Sequence, residues 1–123
     1  MSSTITKNPP VSKFGVKAAT PIETDLDGWK KIEGDPTMKT WIEYTSDDGS
    51  IISGWWAATP GTYHATYSAL ELVHMIEGEI TITPDGGDPV TVGPGDAFVV
   101  EKSFVGSWKI EKEVFKHFSI KLK

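Results

Sequence analysis

The sequence predicts an all-β barrel with little helix, and three observations carry that reading. From Met38 onward, short runs rich in Ile, Val, Thr and Trp recur at close spacing. Turn clusters separate them: Asp47-Asp48-Gly49, Thr59-Pro60-Gly61, Glu77-Gly78, Asp85-Gly86-Gly87 and Gly93-Pro94-Gly95-Asp96. Within several runs apolar residues return at every second position, the period of a strand with one buried face. Several short strands so punctuated close into a barrel or pack as two sheets.

The chain reads as a single domain over residues 1–123, with an N-terminal arm at 1–25 and a barrel at about 38–122. The arm is polar and rich in Ser, Thr, Lys and Pro, and Pro9-Pro10 excludes a helix there. Its apolar members, Ile5, Val11, Phe14 and Val16, argue against full disorder. They suit a segment that drapes over the surface or serves dimer contacts. Strands are expected at 38–45, 51–58, 62–67, 71–76, 79–83, 89–92, 97–100, 105–110 and 114–122. Asp85-Gly86-Gly87 supplies the positive φ of a hairpin between Ile80–Thr83 and Val90–Val92. Ser68–Ile76 has helical propensity. It is short, however, and Gly78 and the alternating Ile80 and Ile82 follow at once, so it is assigned as strand, partly on the resemblance described below.

Composition narrows the function. Hydrophobic residues make up 38% and aromatics 11% of the 123 residues, enough for one core without covalent support. With no cysteine, disulfides, zinc–thiolate sites and thiol nucleophiles are excluded. Twelve basic against 17 acidic residues leave a net charge of −5. Like charge repels phosphate and no basic stripe is present, so nucleic acid is not an expected partner. No basic region followed by an apolar run opens the chain, and no apolar stretch has bilayer length. A cytoplasmic protein without membrane contact is expected.

The blocks PGTYHATYSALELVHMIEGEITI (residues 60–82) and VTVGPGDAFVVEKSFVGSW (residues 90–108) resemble the paired motifs of the cupin superfamily. Trp56, Pro60-Gly61, Glu71, Glu77-Gly78, Gly93-Pro94-Gly95-Asp96, Phe104-x-Gly106-x-Trp108 and Lys116 together are similar to a branch of small cupins. These are the proteins grouped with the cupin domain of (S)-ureidoglycine aminohydrolase. The resemblance implies a double-stranded β-helix, or jelly-roll, barrel. It also implies that the family's metal site of three histidines and one glutamate falls on His64, Thr66, Glu71 and Gly106. Two of the histidines are therefore replaced by Thr66 and Gly106.

His64 and Glu71 would suit a divalent transition metal as imidazole and carboxylate. They form an incomplete shell, and His64 reads equally as a polar residue at the barrel mouth; no tightly held cofactor is expected. In the last strand, Val114, Lys116, Phe118, Ile120 and Leu122 share one face, so Lys116 points with the apolar set. The cupin resemblance implies that Glu71 also turns inward and is its natural counter-ion, unless Lys116 snorkels to water. Trp108 is in phase with Gly106, which leaves space before it, and Trp56 is in phase with Ala58. The tryptophans and Tyr67 then wall a pocket or simply fill a core.

The first functional reading is a barrel, expected as a homodimer, that holds a small polar carboxylate, ureide or sugar acid. Its pocket would comprise Trp56, His64, Tyr67, Glu71, Trp108 and Lys116. The second is a metal-dependent hydrolase, isomerase or lyase using His64 and Glu71. The third is a non-catalytic structural or regulatory dimer module. The sequence leaves catalysis open.

Overall fold

The computed structural model describes residues 7–122, and the strands it shows follow the predicted runs closely. They are β1 (Trp29–Glu33), β2 (Met38–Thr45), β3 (Ile51–Ala58), β4 (Gly61–Thr66), β5 (Leu70–Pro84), β6 (Val90–Val92), β7 (Ala97–Val100) and β8 (Val105–Lys121). All pairings are antiparallel. No helix occurs among the described residues, and none is therefore long and apolar enough to cross a membrane.

The architecture follows from the length of β5 and β8. The sequence suggests two strands for each, at 71–76 with 79–83 and at 105–110 with 114–122. Each pair is in fact one strand. β5 and β8 run side by side from Leu70↔Lys121 to Pro84↔Gly106, with register shifts between Met75 and Ile80. The bend sits at Gly78, where φ is +92° and an added Cβ would lie 2.3 Å from the Glu113 carbonyl oxygen. Glycine alone fits a bulge that tight. Beyond the bend, the far half of β5 pairs with β6 and the near half of β8 with β4, which pairs with β1. On the other side, β5 pairs with β7 and β8 with β3, which pairs with β2. The two long strands thus belong to both halves of one curled sheet, a jelly-roll arrangement.

Alternation aims the inward residues at a common core. Trp56, Ala58, Tyr63, Ala65, Val73, Met75, Ile80, Ile82, Trp108, Ile110, Val114 and Phe118 form it, with Trp29, Tyr67 and Phe104 packed against them. Ser68–Ile76 is strand from Leu70 on, because Glu71, Val73 and Met75 alternate inward. The hairpin at Asp85-Gly86-Gly87 pairs Ile82 with Val90 as expected. At the β2–β3 turn, hydrogen bonds from Ser50 and Ser46 hold the Asp48 carboxyl down to about 2.

The arm lies on the outer face of β2, β3 and β8. Trp55 donates its indole N–H to the Gly15 carbonyl at 2.7 Å, and Phe14 packs on Tyr44 and His117. Lys17 Nζ sits 4.7 Å from the Phe115 ring centroid, and Ile22 bridges to Thr40. Residues 1–6 of the arm, with Ile5, lie outside the described residues. β1 was not expected: of its residues only Trp29 is partly buried, so it shows no alternation to read.

His74 and His117 are cross-strand partners on this outer face. Burial, then the neighbouring His74, pushes His117 below its ordinary 6.5. The unfolded chain therefore binds this proton first. Its contribution to stability is complete above 6.5 and lost as pH falls through the lowered folded value. Urea unfolding between about pH 8 and pH 5 should show a decline that His117→Gln flattens.

Candidate functional site

Lys116 is the centre of the barrel's polar chemistry. The β8 alternation turns it inward between Val114 and Phe118, and it is 1% exposed. Its cross-strand partners are Trp56 on β3 and Met75 on β5. Nζ lies 2.8 Å from Glu71 Oε2, with both side chains almost wholly buried. It also sits over two aromatic faces, 4.6 Å from the Trp56 ring centroid and 4.7 Å from that of Trp108. Such contacts favour a desolvated ammonium. Burial pushes the Lys116 pKa down, against the pull of Glu71.

Glu71 has no free oxygen. Tyr67 donates its hydroxyl to Oε1 at 2.6 Å, while Lys116 donates to Oε2. Burial, reinforced by the Glu71 charge and hydrogen bond, raises the Tyr67 phenol well above its usual value, so it remains a donor at neutral pH. Tyr67 stacks on Trp108, and Trp29 packs against Trp56, Tyr63, Tyr67 and Trp108.

A cavity of about 220 Å³ opens beside this cluster. Trp56, Tyr67, Glu71 and Lys116 line it, together with Trp29 and Thr40, which the sequence reading missed. Its outer walls are mainly apolar, from Leu26, Ile42, Ile52, Phe118 and Ile120, with Asp27 at the rim. Thr40 had a readable signal, since it is in phase with the buried Met38. Trp29 had only Gly28 before it, a residue with φ +85° that turns the chain into β1.

Two expectations need correction. His64 does not enter the pocket. On β4 it is Tyr63 and Ala65 that are fully buried, and His64 lies on the other face with Nε2 3.0 Å from Asp85 Oδ2. A one-residue offset reverses every side chain of a strand. Tyr63 takes the interior because its ring fills the core while its hydroxyl donates to Asp25 and meets the Pro36 carbonyl. Gly106 does not make room before Trp108 either. An added Cβ would lie 2.3 Å from the Thr83 carbonyl oxygen and 2.7 Å from Phe104, so its missing side chain lets β5 and β8 approach.

These placements bear on the fit of a metal. His64 points away from Glu71's partners, and both Glu71 oxygens are engaged. No cluster of three or more His, Cys, Asp or Glu suited to a metal occurs among the described residues. The residues present do not fit the family's metal site.

The burial of the pair makes it energetically consequential. Lys116→Ala and Glu71→Ala should each cost about 3–5 kcal/mol, because each strands a buried partner. The double variant should lose less than the sum. Urea denaturation of the four proteins measures the coupling. Additive losses below about 1 kcal/mol would mark a solvent-screened pair instead.

The fold and its central pair now stand beside known proteins. The chain resembles EutQ from Clostridium difficile at 16% identity, with 71% of this chain and 69% of that chain covered and a TM-score of 0.64. An ethanolamine utilization protein Q from Salmonella typhimurium is 16% identical over 69% of each chain, with a TM-score of 0.62. A protein of unknown function from Pseudomonas syringae pv. tomato is 19% identical, with a TM-score of 0.64. It is covered over 85% of this chain and 45% of its own, so the chain spans less than half its length. Identities this low show a shared fold. No curated protein matches the chain. The EutQ-like cupin family does match it over residues 45–118, most of the barrel, and the chain belongs to that family of cupin domains.

Proposed function

We propose that this cupin domain binds a small molecule in the cavity over Lys116, Glu71 and Tyr67. The observation that carries the reading is the polar triad itself, hydrogen-bonded at the inner end of a largely apolar cavity. Apolar walls with a few fixed polar groups are the usual anatomy of a ligand site. Trp56, Tyr67, Glu71 and Lys116 line the cavity, Trp108 packs behind them, and His64 lies on the other face of its strand. The similarity to the ureidoglycine aminohydrolase cupin domain adds a motif pattern to this reading and no reaction. A metal-dependent activity through His64 and Glu71 gains no support, since the two side chains do not converge.

A homodimer belongs to the same proposal. Leu72 and Val99 are cross-strand neighbours on the outward faces of β5 and β7, 49% and 48% exposed. Light scattering at micromolar concentration should give twice the chain mass, and a monomer would remove the dimer from the reading.

The pocket is tested with a panel of benzyl alcohol, benzoate, benzylamine, toluene and glucuronate in thermal unfolding. A compound at 100 times its Kd adds about 2.7 kcal/mol, a rise of several degrees in Tm. At least one compound should give it. Ala69→Trp, at the cavity lining, should abolish it while the variant still unfolds cooperatively. No shift with any compound would mean that the interior is simply core.

A further inference from the structure

The charges that face the cavity are already matched. Lys116 is the one cation among the described residues that line it, and Glu71 takes its proton contact at 2.8 Å. The pair sums to zero charge whichever partner holds the proton. Tyr67 is committed to Glu71 at 2.6 Å. The remaining ionisable group on the lining is Asp27, an exposed carboxyl at the rim. A carboxylate entering here would find no free cation and would leave a negative charge uncompensated among apolar walls. That is among the costliest arrangements in a protein interior. Sugar acids and ureides fare no better. Inside the exposed rim where Thr66 and Ser68 lie, Ile42, Ile52, Phe118 and Ile120 offer nothing to their several donors and acceptors, and each one left unpaired is penalised.

Thr66 and Ser68 bring hydroxyls only to the exposed rim, and one buried polar group of the lining is left over. Thr40 lines the cavity and is 3% exposed, yet its Oγ1 has no hydrogen-bond partner among the described residues. Its backbone is held on both sides, by Trp56 in the β2–β3 register and by Ile22 of the arm through paired N–H···O bonds of 2.8 and 2.9 Å. The main chain that carries the hydroxyl is therefore fixed in place, and the hydroxyl itself is unspent. The volume sets the size of what can join it. A dry protein cavity of about 150 Å³ takes up benzene, so about 220 Å³ admits a six-membered ring with a short substituent.

Building on the small-molecule reading above, we infer that the barrel selects an uncharged, mainly apolar molecule carrying one alcohol or carbonyl oxygen. That oxygen pairs with the Thr40 hydroxyl while the apolar body lies against Trp29, Trp56 and the aliphatic rim. This ligand class replaces the carboxylate, ureide or sugar acid of the sequence reading, because Glu71 and Tyr67 leave Lys116 no unpaired charge to offer.

Titration calorimetry with benzyl alcohol, toluene, benzoate and glucuronate tests the inference on the wild-type chain and on Thr40→Val, which keeps the side-chain shape and removes the hydroxyl. Benzyl alcohol should bind the wild type at least about tenfold more tightly than benzoate or glucuronate, since neither anion finds a free cation. Thr40→Val should weaken benzyl alcohol by about tenfold, the worth of one buried hydrogen bond, and leave toluene unchanged. Benzoate or glucuronate binding as tightly as benzyl alcohol would overturn the ligand class and leave the pocket standing. Unaltered benzyl alcohol affinity in a folded Thr40→Val would overturn the role of Thr40. If the wild type binds none of the four, the pocket reading itself falls, and the ligand class with it.

Discussion

The buried pair of Lys116 and Glu71 is the constraint on which the interior depends. Removing an ammonium and a carboxylate from water costs several kcal/mol per ion, and mutual attraction repays it only when the geometry is close and the remaining valences are met. Here the second carboxylate oxygen is met by Tyr67 and the ammonium by the faces of Trp56 and Trp108. These requirements draw on several elements, with Tyr67 supplied by the connection between β4 and β5. Glu71 comes from β5, Trp56 from β3, and Lys116 and Trp108 from β8. The pair thus ties the long strands together where they leave the bend, and it cancels its own charge there. An interior held in this way is electrically quiet, and Thr40 carries its one buried lining hydroxyl without a partner among the described residues.

The aromatic residues divide into two layers with different tasks. The inner layer, Trp29, Trp56, Tyr67 and Trp108, encloses the pair and builds the cavity wall. The outer layer, Trp41, Trp55 and Phe115, lies on the outward face of β2, β3 and β8 and is covered by the arm. The arm links the two. Its middle caps the outer aromatics, and further along Ile22, with Leu26 just past the arm, reaches the cavity lining. Ile22 also fixes the strand that presents Thr40. The segment that protects the outside of the sheet therefore shapes the entrance to its inside. Loosening it would be felt at the cavity as well as in stability.

What the sequence by itself determined is whatever depends on local period and turn chemistry. The strand runs and the hairpin at Asp85-Gly86-Gly87 were legible because β-formers and turn residues act over a few positions. The inward aim of Lys116 was legible because period-2 alternation in a strand as long as β8 leaves one consistent choice of face. Its pairing with Glu71 was legible through the cupin resemblance, which turns Glu71 inward as well.

Tertiary structure decided whatever depends on which strands meet. β4 is short and its alternation is equivocal, with Thr62 and Tyr63 both buried, so only contact with β8 settles that Tyr63 faces in and His64 faces Asp85. Gly106 carries no side chain whose pattern could be read, and its purpose is visible only in the carbonyl of Thr83 lying against it. Trp29 sits on a strand whose other residues are exposed, so its place in the cavity wall comes from pairing with Ala65. The spare hydroxyl of Thr40 is a deficit of partners, and a missing partner has no signature in sequence. Periodicity assigns a side chain to a face; closure of the sheet decides what that face meets.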